Sequence, residues 1–165
     1  AHAQRLLTAQ LHTGGFIREY LAVTEGGPER FESTIDAPIA RLGTGAKRAV
    51  REDGQHAVTH YRVEKASDRR ALIRLRLETG RTHQIRATCS SLGYPVAGDK
   101  MYGVDENIFL RFIDGKMTDR DRAGLIYPRQ ALHAYSLNFT VPDGSEKMRL
   151  SGLRRKNGEA YLMRR

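Results

Sequence analysis

One cysteine and no tryptophan occur in 165 residues. The lone Cys89 excludes an internal disulfide and a thiolate cluster for zinc. Long apolar runs are missing too, so no segment reaches the length of a membrane-spanning helix. The first residues show no charged-then-apolar leader pattern. From these absences the expected compartment is reducing and cytoplasmic, with no membrane partner. Acidic residues are outnumbered: 28 Lys and Arg stand against 19 Asp and Glu, leaving a formal net charge of +9 and a pI near 10.0. A surplus of that sign suits a polyanionic partner, because basic side chains displace the counterions condensed on phosphates. Charge alone does not separate such a protein from a merely basic one. Internal repeats, low-complexity tracts and linkers are absent as well. With 39% apolar residues the chain can bury a core of its own, and residues 1–165 are read as one domain.

What is present is mostly strand periodicity. Residues 1–12 have Ala3, Leu7 and Leu11 spaced by four with Leu6 beside them, which predicts a helix that Gly14-Gly15 stops. Residues 16–23 alternate, placing Ile17, Leu21 and Val23 on one strand face and Phe16, Arg18 and Tyr20 on the other. A short strand is expected over 31–35. Arg41, Lys47, Arg48 and Arg51 then fall in a glycine-rich polar loop, equally readable as a solvated surface or as a grip on phosphates. Residues 57–64 put Thr59, Tyr61 and Val63 on one face, and Ser67-Asp68 turns the chain toward a hairpin partner at 71–77. Residues 104–129 are irregular and charged, with one short helix expected around 108–113. A strand follows over 129–139, Pro142-Asp143-Gly144 is a turn, and Met148 and Leu150 suggest one more strand. The tail at 154–165 is basic and loosely amphipathic. Strands outnumber helices and the connections are short, so the fold class expected is α+β with mainly antiparallel pairing.

The chain is organised around residues 75–103. Ile73, Leu75 and Leu77 share one strand face while Arg74 and Arg76 share the other. Thr79-Gly80 breaks the strand, and a helix follows for which Thr82 is the expected cap. Ile85, Cys89 and Leu92 fall on one helix face and are expected to be buried. Gly93 supplies a left-handed end. Arg81 thus stands at a strand-to-helix junction, with His83, Gln84 and Arg86 just beyond. Free amides, the helix dipole and a guanidinium converge there, which makes it an anion site in principle.

The string TGRTHQIR, followed by LGYPVAGDKMYG, resembles the signature of the RluA-type pseudouridine synthases. R-E-Y-L-A at 18–22, D-A-P-I at 36–39, A-V-T-H-Y at 57–61 and R-Q-A-L-H-A at 129–134 are similar to further motifs of that family. The resemblance implies a mixed, mainly antiparallel β-sheet flanked by helices, with the active site in a basic cleft across its middle. It also implies the reaction, isomerisation of uridine to pseudouridine within RNA, without cofactor or metal. The target nucleotide has to leave its stack to be reached, so a phosphate-binding groove and a pocket for a flipped base are required. By position, Arg81 would pair with the catalytic aspartate, Tyr20 would stack on the flipped base, and Leu132 would supply an apolar wall. Arg18, Arg41, Lys47, Arg48, Arg51, His83 and Arg86 are the candidate RNA contacts. Asp99 is expected to fix its local turn.

The family's nucleophilic aspartate belongs to an H-R-L-D string that these residues do not contain. Asp36, Asp53, Asp68 and Asp99 all fall in predicted turns or loops and do not replace it. The expectation is therefore an incomplete pseudouridine synthase catalytic fold: the C-terminal portion of a catalytic domain, inactive by itself. Thr88 stands where relatives often carry histidine. The RNA expected is ribosomal rather than transfer RNA, and the protein a monomer. Two other readings fit the same charge: a non-catalytic RNA-binding relative, and a ribosome-assembly factor.

Overall fold

The structure is a computed structural model that describes residues 2–103, 105, 107–156 and 159–164, with side chains described up to Ser151 except at His12. In chain order the elements are α1 (His2–His12), β1 (Ile17–Glu25), β2 (Glu32–Asp36), β3 (Ile39–Arg41), β4 (Arg48–Val50), β5 (Val58–Ala66) and β6 (Arg70–Leu77). There follow α2 (Gln84–Ser91), α3 (Asn107–Ile113), α4 (Asp119–Gly124), β7 (Leu132–Thr140), β8 (Lys147–Lys156) and β9 (Glu159–Arg164). Seven strands form one sheet in the order β2-β5-β6-β1-β7-β8-β9, and each neighbouring pair runs antiparallel. The α+β class is therefore realised, with β5 and β6 forming the expected hairpin.

Periodicity decides which side of the sheet is covered. Ile73, Leu75 and Leu77 on β6 and Tyr61 and Val63 on β5 are buried together with Ala22, Ile85, Cys89 and Val96. Each fully buried aliphatic side chain of this kind contributes about 1.5–3 kcal/mol. On β1 the alternation holds, and the side turned to the core is that of Tyr20, Ala22 and Thr24 rather than that of Leu21 and Val23. The reason lies across the strand: Tyr20 faces Leu75 and Ala22 faces Ile73, and α2 covers that side with Ile85 and Cys89. A register shift at Glu19/Tyr20 sets Glu19 opposite Ser136 and Tyr20 opposite Ala134. Tyr135 is thereby the extra residue of a β-bulge, and Arg74 lies over its ring at 4.5 Å.

Four expectations are corrected. The basic stretch after Ile39 is not a loop but a small separate hairpin, β3 paired with β4. Thr82 does not cap α2. The cap position is His83, in a left-handed conformation at φ 56° with no side-chain cap bond. Leu92 is not on the buried face, because the helix ends at Ser91 and leaves it 37% exposed at the C-cap. Residues 104–129 hold a second helix, α4, begun by Thr118 and Asp121 bonding reciprocally as a capping box. The amphipathic reading of the tail concerns side chains outside the described residues, although β8 and β9 do pair there.

Candidate active site

The turn from β6 into α2 is held by one buried amide. Gln84 Oε1 accepts from Thr79 Oγ1 and from the Arg81 N–H, both at 2.9 Å. Its Nε2 donates to the Val58 carbonyl and to Thr59 Oγ1, both at 3.0 Å. Thr79 Oγ1 in turn accepts from the Val58 N–H at 2.9 Å. Strand β5 and the turn are thereby stitched together, which fixes the backbone from which Arg81 projects. The Arg81 guanidinium itself is lightly held: its Nε donates to the His56 carbonyl at 2.8 Å. It has no carboxylate partner among the described residues.

Arg81, Arg41 and Arg48 line one cleft of about 410 Å³ together with Gln55, Asp53 and Thr82. Arg41 bonds the carbonyls of Gly45 and Thr44, both at 2.9 Å, and so closes the hairpin loop on itself. Arg48 does the same to the Ala46 carbonyl at 3.1 Å. Arg51 forms a bidentate pair with Asp53, which lines the cleft. Lys47 lies 5.7 Å from the centre of the Tyr102 ring. The hairpin is thus built of cations whose donors are partly used internally, while their charge still faces the cleft.

Tyr20, Arg18 and Leu132 sit beyond the turn, on the sheet face that α2 covers. Tyr20 and Leu132 are half-buried against the core, and Leu132 is paired with Ala22 beside Tyr20's partner Ala134. Arg18 is paired with Leu77 at the end of β6. Its guanidinium lies against Gly80: a Cβ built there would overlap Nη1 and stand 3.2 Å from Nη2.

Arg86 is placed differently from the expected RNA contact. Its Nε and Nη2 grip Asp99 at 2.6 and 2.8 Å, with side-chain exposures of 14% and 0%. Asp99 also accepts the N–H groups of Met101 and Tyr102 at 3.0 and 3.1 Å, so it does fix its turn. Arg86 packs 4.7 Å from the centre of the Tyr102 ring. The Tyr102 hydroxyl accepts the Arg48 N–H at 2.7 Å and bonds His83 Nδ1 at 3.0 Å. Burial, aided by the cations Arg86 and Arg48, pushes the His83 imidazole below its usual value. His83 is therefore a neutral spacer between turn and hairpin. Cys89 is the expected core thiol, with burial pushing it up to about 12.

Sequence reasoning named Gln84 among the residues that support the turn, as its bonds to Thr79 and Arg81 bear out, and it missed Tyr102. A glutamine opening a helix whose next residue is apolar is a signal for a buried amide, although its partners on β5 are not visible in the sequence. Tyr102 gives no such signal, because its partners come from two distant segments. Among the described residues no group of three or more His, Cys, Asp or Glu side chains is arranged to hold a metal ion, and no helix is long and apolar enough to cross a membrane.

The sequence profile of the RNA pseudouridylate synthase family matches residues 1–91, and the chain belongs to that family. It is 40% identical over 148 residues to an uncharacterized RNA pseudouridine synthase, YjbO, of Bacillus subtilis, covering 89% of this chain and 46% of that protein. It is 42% identical over 151 residues to ribosomal large subunit pseudouridine synthase D of Xanthomonas campestris, covering 90% of this chain and 44% of that protein. The chain thus spans about half the length of these relatives. Among solved structures, human RNA pseudouridylate synthase domain containing 1 matches with a TM-score of 0.68 at 26% identity, covering 92% of this chain and 58% of that one. Human RNA pseudouridylate synthase domain containing 4 shares the fold, with a TM-score of 0.67 at 22% identity.

Proposed function

We propose that this chain forms the larger part of a catalytic domain that isomerises uridine to pseudouridine in structured RNA, acting as a monomer in the cytoplasm on ribosomal rather than transfer RNA. The observation that carries the reading is Arg81. It projects from a turn fixed by Gln84, without a carboxylate partner among the described residues, into a cleft it shares with Arg41 and Arg48. The ribosomal reading leans on relatives named as ribosomal large subunit pseudouridine synthases.

In this reading Arg81 receives the nucleophilic aspartate and holds it ionised and oriented, since opposite charge at contact distance favours the carboxylate. That aspartate comes from outside residues 1–165, because no H-R-L-D string occurs within them. Tyr20 stacks on the flipped uracil and assists proton transfer during isomerisation, and Leu132 forms the wall beside it. Arg41, Lys47, Arg48 and Arg51 contact phosphates without reading sequence, and His83 contributes by holding the turn. Arg86 is left out of the RNA contacts, because its donors are committed to Asp99.

The test is tritium release from RNA carrying uridine labelled at its fifth ring carbon. Full-length protein containing this chain should release tritium, and residues 1–165 alone should release none. Arg81→Ala in the full-length protein should lower the rate by orders of magnitude, because breaking a buried ion pair costs about 3–5 kcal/mol, while RNA affinity changes far less. Equal losses of rate and affinity would reduce Arg81 to an ordinary phosphate contact.

A further inference from the structure

Arg18 is a cation whose Nε is shielded from solvent and has no hydrogen-bond partner among the described residues. Arg70 Nε is also without a hydrogen bond, but a Glu25 carboxylate stands 3.6 Å away. No carboxylate faces Arg18 among the described residues. Arg18 is half-buried, and a guanidinium whose Nε is shielded with neither hydrogen bond nor counter-charge is costly, which points to an anion supplied by another molecule or segment.

A second observation shows that the position is built. Gly80 has an ordinary backbone conformation, so no left-handed turn requires it. What requires it is space. A Cβ at residue 80 would overlap Arg18 Nη1 and approach Cζ to 3.3 Å. The glycine of the T-G-R turn is thus the seat of the Arg18 guanidinium. That seat has Arg81 as its neighbour in the chain and Tyr20 next along the same face of β1.

We propose that Arg18, seated on Gly80, binds the phosphodiester of the nucleotide whose base is taken up at Tyr20. A guanidinium presents paired N–H groups that match two oxygens on one centre, as a phosphodiester offers. Alternate residues of a strand point to the same face about 7 Å apart, so one nucleotide can span Arg18 and Tyr20. Arg18 acts as a positioning residue, setting where the base enters relative to Arg81. This inference rests on the RNA reading above.

The experiment titrates the chain and its variants against a uridine-containing stem-loop with a single-stranded loop, at several salt concentrations. Arg18→Gln should weaken binding about tenfold or more, as expected for losing a charged hydrogen bond. It should also reduce the slope of log affinity against log salt by about 0.7. Arg18→Lys should restore the slope. Gly80→Ala should leave the melting temperature nearly unchanged, because the displaced group is the end of a flexible side chain, yet weaken binding comparably. In the Arg18→Gln background Gly80→Ala should add nothing further. An unchanged slope in Arg18→Gln would overturn the proposal and assign Arg18 to a protein carboxylate, leaving the RNA reading intact. Equal Gly80→Ala losses in both backgrounds would also overturn it. No RNA binding by the unaltered chain would overturn both readings.

Discussion

Arg81 and Arg86 come from one short motif, yet the regions around them are opposites. Arg86 lies under the Tyr102 ring in a bidentate pair with Asp99, whose side chain is wholly buried. Arg81 lines a cleft, and among the described residues its guanidinium bonds a single carbonyl. The Arg86 region is closed electrostatically, its guanidinium meeting the Asp99 carboxylate and both Asp99 oxygens accepting hydrogen bonds. The Arg81 region is left positive. A motif rich in arginine thus divides its cations between one that holds the fold and one left facing a cleft. Residue type does not say which is which.

The largest effect is expected from Arg86→Ala. It strands the buried Asp99 carboxylate and should cost about 3–5 kcal/mol of stability, read as a shift in the midpoint of urea denaturation. A loss below about 1 kcal/mol would mean that Arg86 is as free as Arg81. Tyr102→Phe should cost less, about 1–3 kcal/mol. It keeps the ring over Arg86 but leaves the Arg48 N–H and His83 without their shared partner, and thermal unfolding should show it. The smallest effect belongs to Arg81→Ala in residues 1–165 alone, without the aspartate proposed to meet it: the change removes one exposed bond to a carbonyl and should alter stability by about 1 kcal/mol or less. A larger loss there would make Arg81 a structural residue and erase the contrast.

Particular elements show how far the sequence could be read. The alternation in β6 predicted its buried face, because side chains on a strand must point to opposite sides whatever the strand pairs with. The hairpin with β5 followed from the turn at Ser67-Asp68, whose bonds are local. The basic stretch at Arg41 and Arg48 reads as a loop in the sequence because three-residue strands carry too little periodicity to register. The place of Thr82 in the sequence predicts a cap for α2. The turn instead bonds to Gln84, which also reaches β5, so the cap choice was decided by a strand distant in sequence.

The candidate site divides the same way. That Arg81 follows a glycine at a strand-to-helix junction could be read from the string alone, since local sterics and hydrogen bonding set such turns. The family could be read there too, from motifs that have to stay together because they form one turn. Only the tertiary structure decided that Asp99 takes Arg86 and leaves Arg81 unpaired, that Tyr102 ties the β3–β4 hairpin to His83, and that Gly80 gives its space to Arg18. Each of these pairs residues from separate segments, and which charges meet is set by how the strands and helices pack, a quantity with no period along the chain.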